Sequence, residues 1–295
     1  MVGRKRLGVW DMQIEVLGSG GAVTTPRPGC HCRVCVEARE KGVPYSRTGP
    51  SLFVHGPDVL IDTPEEIKEQ LNRSRVQEIK ACLYSHWHPD HVMGRRVWEM
   101  NLDFERWPPR SKRTDIYVPQ QVAQDFRTRL GTAEHLAYLE QLGLVRLVEL
   151  ADGESVTLGD TRIRPLRLAQ TYAYAFLFEG GGRRVLIVPD ELLGWTPPAE
   201  VKGVDLAVLP KGLDEFDPFS GERRIPESHF ILKTEATFRQ TLEVARELRA
   251  VRVVMTHIEE PDRLSYDDLR RLEERLQGGG LNVSFAYDGM VIDVA

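Results

Sequence analysis

Apolar and polar residues alternate over MQIEVLG (12–18), and the run ends in glycines, which predicts a strand closing in a tight turn. SLFVHG and DVLIDT flank Gly56-Pro57 and predict two antiparallel strands. PEEIKEQLNRS (64–74) opens with proline and acids, as a helix N-terminus does. IKACLYS (79–85) is a continuous apolar run, the pattern of a strand buried on both faces, and it leads straight into SHWHPDH (85–91). Residues 92–142 read as mostly helical, broken at Pro108-Pro109. Strands are expected again at 144–149, 155–158, 161–168, 173–178, 183–188 and 205–210. A Gly/Pro/Asp-rich loop follows at 211–228, then a helix at 235–250 with apolar residues at helical spacing. The strand VRVVMTH (251–257), a charged helix (265–277) and two short strands close the chain. Strands precede helices in each of two halves, which suggests two packed sheets with helices outside.

The chain has 295 residues, 41% of them hydrophobic, enough to bury a sizeable core as one large domain or two small ones. It shows neither a linker nor an internal repeat, so a single domain over 1–295 is expected, with a cysteine-rich loop at 29–35. No apolar stretch approaches 18 residues, and MVGRKRLGVW lacks the apolar core of a signal peptide, so no membrane contact and a cytoplasmic location are expected. A net charge of −5 argues against non-specific nucleic-acid binding. The local basic stretch RWPPRSKR (106–113) reads as a solvated loop. The sequence gives no handle on oligomeric state, and a homodimer stays open as a partner.

Cysteine use narrows the chemistry. Cys30, Cys32 and Cys35 lie within six residues, too close for the long-loop disulfides of a secreted domain, and a metal site is the better reading. Three thiolates suit zinc, which needs a fourth ligand. Cys82 lies in an apolar strand and is expected in the core. In SHWHPDH, His86 and His88 are two apart just past a buried strand and can point the same way, and Asp90 and His91 follow where the chain turns. Imidazole and carboxylate together suit zinc, iron or manganese.

HWHPDHVMG matches in full the H-x-H-x-D-H signature of the metallo-β-lactamase superfamily, and the chain resembles that family over most of its length. GSGGA (18–22) together with GCHCRVC (29–35) and DGM (288–290) makes it most similar to the family of cyclic phosphodiesterases of carbon–phosphorus lyase pathways. The resemblance implies a four-layer αββα sandwich, two mixed sheets with helices outside, and a site at the edge between the sheets. It also implies one or two divalent ions, with His86 and His88 on one, Asp90, His91 and His257 on the other, and Asp190 bridging. Asp62 would orient ligands through hydrogen bonds. A hydroxide between the metals would attack phosphorus, with Asp90 in the catalytic group and His229 as general acid. The family takes the fourth ligand of its cysteine site from a residue three after the last active-site histidine, which here is Glu260; His31 and His55 are alternatives.

One departure stands out. The family pattern places a further histidine where this chain has Ala169, so the ion on His86 and His88 would keep only those two and Asp190. A weakened second site is therefore expected. Tyr172 and Tyr174 could line the pocket near that gap, and Arg223 and Arg224 could hold a phosphate. GSGG reads as a tight turn, since it lacks the Lys-Ser/Thr of a phosphate loop. The expected function is a metal-dependent phosphodiesterase on a small cyclic or nucleotide-like phosphate. Alternatives are hydrolysis of a lactone, thioester or amide, a non-hydrolytic accessory role in cofactor biosynthesis, and a weakly active scaffold. A transfer-RNA-processing nuclease ranks lower, because the charge is acidic and no substrate-gripping arm is evident.

Overall fold

The computed structural model describes residues 12–105 and 110–294; the basic run at 1–10 and the first residues of RWPPRSKR lie outside them. Two seven-stranded sheets face each other. The first runs Val291–Asp293, Gln13–Gly18, Ser51–His55, Val59–Ile61, Ala81–Leu83, Thr114–Pro119 and Val145–Leu150. Its pairs are antiparallel as far as Val59–Ile61 and parallel beyond it. The second runs Val283–Phe285, Arg252–Thr256, Leu206–Pro210, Arg183–Ile187, Tyr174–Gly180, Thr161–Arg167 and Val156–Leu158. Here the first three pairings are parallel and the last three antiparallel. Both sheets are mixed.

Alternation along the strands sorts side chains into three apolar layers. Ile14, Val16, Ile61 and Leu83 meet Phe176, Phe178, Ile187 and Val208 between the sheets. On the far side of the first sheet, Leu60, Cys82 and Ile116 pack under the helices Gln120–Thr128 and Thr132–Gln141 through Val122, Phe126, Leu136 and Leu139. On the far side of the second, Ala175, Leu177 and Met255 pack under Phe238–Leu248 and Tyr266–Gly278. This is the expected four-layer sandwich. Strand Tyr174–Gly180 shows why these strands read as unbroken apolar runs: Phe176 and Phe178 face one layer, Ala175 and Leu177 the other. Burying each phenylalanine contributes about 1.5–3 kcal/mol. Capping boxes set the last two helices, Thr237 with Gln240 and Ser265 with Asp268. Among the described residues, no helix is long and apolar enough to cross a membrane.

Two segments differ from the sequence reading. The mostly helical stretch expected at 92–142 contains a 3-10 turn (Met93–Asn101) and a full strand, Thr114–Pro119, inserted between Ala81–Leu83 and Val145–Leu150. Thr114, Ile116, Tyr117 and Val118 are β-branched or aromatic, and two parallel neighbours draw them into the sheet. An unanticipated helix, Arg33–Lys41, follows the first two clustered cysteines and buries Val34, Cys35 and Ala38.

Candidate metal centre

The residues that carry the chemistry sit where parallel strands end. Asp62 follows Val59–Ile61, Ser85 and His86 follow Ala81–Leu83, Asp190 follows Arg183–Ile187, and His257 follows Arg252–Thr256. Both sheets therefore deliver side chains to one edge. Asp62, Glu191 and His257 adopt positive φ (60°, 67° and 52°), a conformation uncommon for residues with a side chain. Such backbone clusters at functional sites because the surrounding structure must hold it.

His86 and His91 are fully buried, His88 partly so. The Asp62 carboxylate accepts from the Ser85 amide at 2.8 Å and the Ser85 hydroxyl at 2.6 Å, and lies 2.7 Å from His91 Nδ1. That bond fixes the ring and leaves Nε2 facing the site. Nε2 of His91 lies 3.3 Å from Asp90 and 4.0 Å from Asp190. Nε2 of His257 lies 3.5 Å from each of the same two carboxylates. Nε2 of His86 lies 3.9 Å from Asp190. Among the described residues, the Nε2 atoms of His86, His91 and His257 are buried without a hydrogen-bond partner. Buried polar atoms are nearly always satisfied. Three partnerless imidazole nitrogens gathered around aspartates form the donor set of a divalent ion, so the residues fit the metals the sequence suggests.

The electrostatics agree. Burial, together with neighbouring histidines, keeps His86 well below its ordinary pKa, and burial lowers His88, so both are neutral and free to ligate. Burial would also lower His257, but Asp190 and Asp90 outweigh it and raise it to about 9. Burial would raise Asp90, but His91 and His257 hold it well down.

The six predicted ligands are thus brought together, in two adjoining groups. Asp90, His91 and His257 form one; His86, His88 and Asp190 form the other, and Glu191 joins them. Sequence reasoning missed Glu191, although it directly follows Asp190 in VPDE. Its Oε1 accepts a 2.6 Å hydrogen bond from the Tyr172 hydroxyl and lies 3.6 Å from His88 Nδ1. The structure thus places a fourth donor beside the three expected for this group. Ala169 is exposed. Tyr172 flanks His88, with ring centroids 5.3 Å apart, whereas the Tyr174 hydroxyl bonds Asp152 instead.

A cleft of about 250 Å³ opens on this cluster. Val23, Leu192, Leu213, Ile231 and Ala236 supply apolar wall, and Glu235 and Glu259 add acid. Burial and the nearby Asp190 push Glu235 up to about 8. His229 is not brought into the cleft: it is exposed, accepts from the Ile231 amide at 3.2 Å and stacks on Phe230. Arg223 and Arg224 do not line it either. Arg223 pairs with Glu215 and covers Phe216, and Arg224 bonds Asp217 and the Asp262 carbonyl.

The glycine loop has a part that its turn motif alone did not show. A Cβ on Gly21 would lie 2.5 Å from the His257 ring and 2.8 Å from Glu259. The loop is held by Asp288 of DGM, which is buried and accepts from the amide and hydroxyl of Ser19 and from the amide and hydroxyl of Thr48. GSGGA and DGM are therefore one structural unit behind His257.

A second donor cluster lies three residues further on. The thiols of Cys30, Cys32 and Cys35 approach one oxygen of Glu260 at 3.3, 2.9 and 3.3 Å. Three sulfurs around one carboxylate oxygen fit a four-donor zinc site. Burial pushes the Cys35 thiol up to about 12. The alternatives lie elsewhere: His31 is exposed and His55 pairs with Glu15 at 2.8 Å. Cys82 is buried in the core, as expected.

Comparison with known proteins agrees with this architecture. A beta-lactamase superfamily domain matches residues 57–258, more than half of the chain. A solved diphosphatase of the PhnP family superposes with a TM-score of 0.67 at 22% identity, covering 96% of this chain and 97% of its own. Zinc-bound PqqB from Methylobacterium extorquens gives a TM-score of 0.67 at 15% identity, over 95% and 99% of the two chains. An octanoyltransferase from Porphyromonas gingivalis is 29% identical over 160 residues, 53% of this chain; that stretch spans only 30% of the relative's length. The matched domain, the paired mixed sheets and the intact H-x-H-x-D-H run with its distant partners agree: this chain belongs to the beta-lactamase superfamily.

Proposed function

We propose that the protein is a metal-dependent hydrolase and that its substrate is a small phosphodiester, cyclic or nucleotide-like. The observation that carries this reading is the set of three partnerless imidazole nitrogens gathered with Asp90 and Asp190 at one cleft. His86, His88, Asp90, His91, Asp190 and His257 would hold one or two divalent ions, zinc, manganese or iron. Such ions, when bound, make water a stronger nucleophile and offset the charge that builds on an attacked phosphorus. Asp62 keeps His91 in the tautomer that presents Nε2. The apolar wall keeps bulk water away from the reacting group. Glu235 stands in the cleft, where burial favours its protonated form, and can give that proton to the leaving group. The structural likeness to a diphosphatase supports phosphorus as the reacting centre. The cysteine cluster with Glu260 would carry a structural zinc.

One observation favours a second reading, hydrolysis of an acyl ester or thioester. Among the described residues lining the cleft there is no lysine or arginine to grip a phosphate, and much of the wall is apolar. The stretch shared with an octanoyltransferase points the same way. The purified protein, reloaded with manganese or zinc, is assayed on an aryl phosphodiester, on cyclic phosphates and on an octanoyl thioester. Turnover of a phosphodiester is expected. Turnover of the thioester alone transfers the assignment to acyl chemistry, and no turnover of any substrate with either metal overturns the hydrolase reading.

A further inference from the structure

Ala169 is where the sequence departs from the family's pattern, and Glu191 stands beside the imidazole that departure concerns, 3.6 Å from His88. We propose that Glu191 is a metal ligand, supplying to the His86 and His88 side of the centre the donor that relatives take from a histidine aligned with Ala169.

Four observations carry this. Glu191 is 2% exposed, and its positive φ of 67° belongs to the turn that carries it into the site beside Asp190. One of its oxygens, Oε2, is buried with no hydrogen-bond partner among the described residues, and so is His86 Nε2. Ligand atoms of His86, His88, Asp190 and Glu191 all lie within 4.8 Å of one another. The other oxygen, Oε1, is tied to the Tyr172 hydroxyl at 2.6 Å, the kind of outer hydrogen bond that aims a ligating carboxylate. A salt bridge from Glu191 to His88 accounts for Oε1 but leaves Oε2 and His86 Nε2 both unsatisfied. A cation held by the Glu191 carboxylate and the His86 imidazole would satisfy both.

The substitution balances the centre. With Asp190 shared, each side now offers two imidazoles and two carboxylates: His86, His88, Asp190 and Glu191 against His91, His257, Asp90 and Asp190. Three carboxylates serve the pair of ions, where a histidine at the aligned position would leave two. More oxygen and more negative charge shift preference toward hard ions, so the His86 side takes manganese or iron(II) more readily than its histidine-bearing relatives would. The second site is rebuilt rather than weakened.

The test is metal binding, which is independent of any substrate. The whole protein is stripped with chelator, then titrated with Mn²⁺, an ion that thiolates bind poorly, and bound manganese is followed by metal analysis and electron paramagnetic resonance. Wild type is expected to hold two ions per chain with the broadened spectrum of a spin-coupled pair. Glu191→Gln keeps size and the Tyr172 contact but loses the charge, and should weaken one ion at least tenfold and restore a single-ion spectrum. Tyr172→Phe should weaken the same ion by less. Thermal melts of the metal-free proteins check folding, and if Glu191→Gln melts abnormally, Tyr172→Phe decides. One tight ion in wild type, or two ions bound unchanged by Glu191→Gln and Tyr172→Phe, overturns the proposal.

Discussion

At the scale of single residues, space matters as much as donor chemistry. The imidazole of His257 occupies the volume a side chain on Gly21 would need. Gly21→Ala should therefore push the ring away from Asp90 and Asp190 while leaving the sheets intact. Displacing a catalytic group by about 1 Å can cost on the order of 100-fold in rate. The expected outcome is a loss of that order in kcat/KM with a near-native circular dichroism spectrum; wild-type turnover would show that the loop yields without moving the ring. The donor side chains of one contiguous run, His86 to His91, were legible because a single strand end presents them together. Asp190 and His257 were legible because each follows an apolar strand. Glu191 was not, since its meaning depends on Tyr172 and His88, which only the folded chain brings near. His229 misled for the opposite reason: a histidine in a polar loop has no periodicity to say which way it faces.

At the scale of elements, most strands buried on both faces announced themselves, and Thr114–Pro119 did not. Thr114–Pro119 lies close to two helices, Gln120–Thr128 and Thr132–Gln141, whose periodicity dominates any window drawn across all three. Its β-branched content was the local signal. Connections between elements hide a different determinant. Lys211, fully buried just past Leu206–Pro210, bonds Asp214 at 2.7 Å and Asp262 at 3.0 Å. It joins the loop after one strand to the turn after the next. Removing one partner of a buried charge cluster typically costs about 3–5 kcal/mol, because the remaining charges stay desolvated. Lys211→Met should lower the unfolding free energy by that amount in urea titrations. A loss of unfolding free energy of less than about a fifth of that would mean water reaches Asp214 and Asp262.

At the scale of the whole molecule, neither sheet holds the centre alone. The first contributes His86 to His91, the second Asp190, Glu191 and His257, so an ion held there would tie the two halves of the chain together. An ion present at a thousand times its dissociation constant stabilises the native state by about 4 kcal/mol. For a chain of this size that corresponds to a fall in Tm on the order of 10 °C when chelator removes it. Differential scanning calorimetry with and without chelator measures this directly, and superimposable melts would show that the ions add nothing to cohesion between the sheets.

The six residues from His257 to Asp262 carry several unrelated duties at once. His257 faces the aspartates, Ile258 bonds the Ser19 carbonyl, Glu259 borders the cleft, Glu260 meets the three thiols, and Asp262 holds Lys211. Each duty depends on its exact count from the strand end. For anyone redesigning or recombining this protein, that hexapeptide tolerates neither insertion nor deletion: a frame slip of one residue would disconnect both donor clusters and a buried lysine together. Crossover points belong elsewhere, in turns such as 181–182, an exposed hairpin between the paired strands Tyr174–Gly180 and Arg183–Ile187.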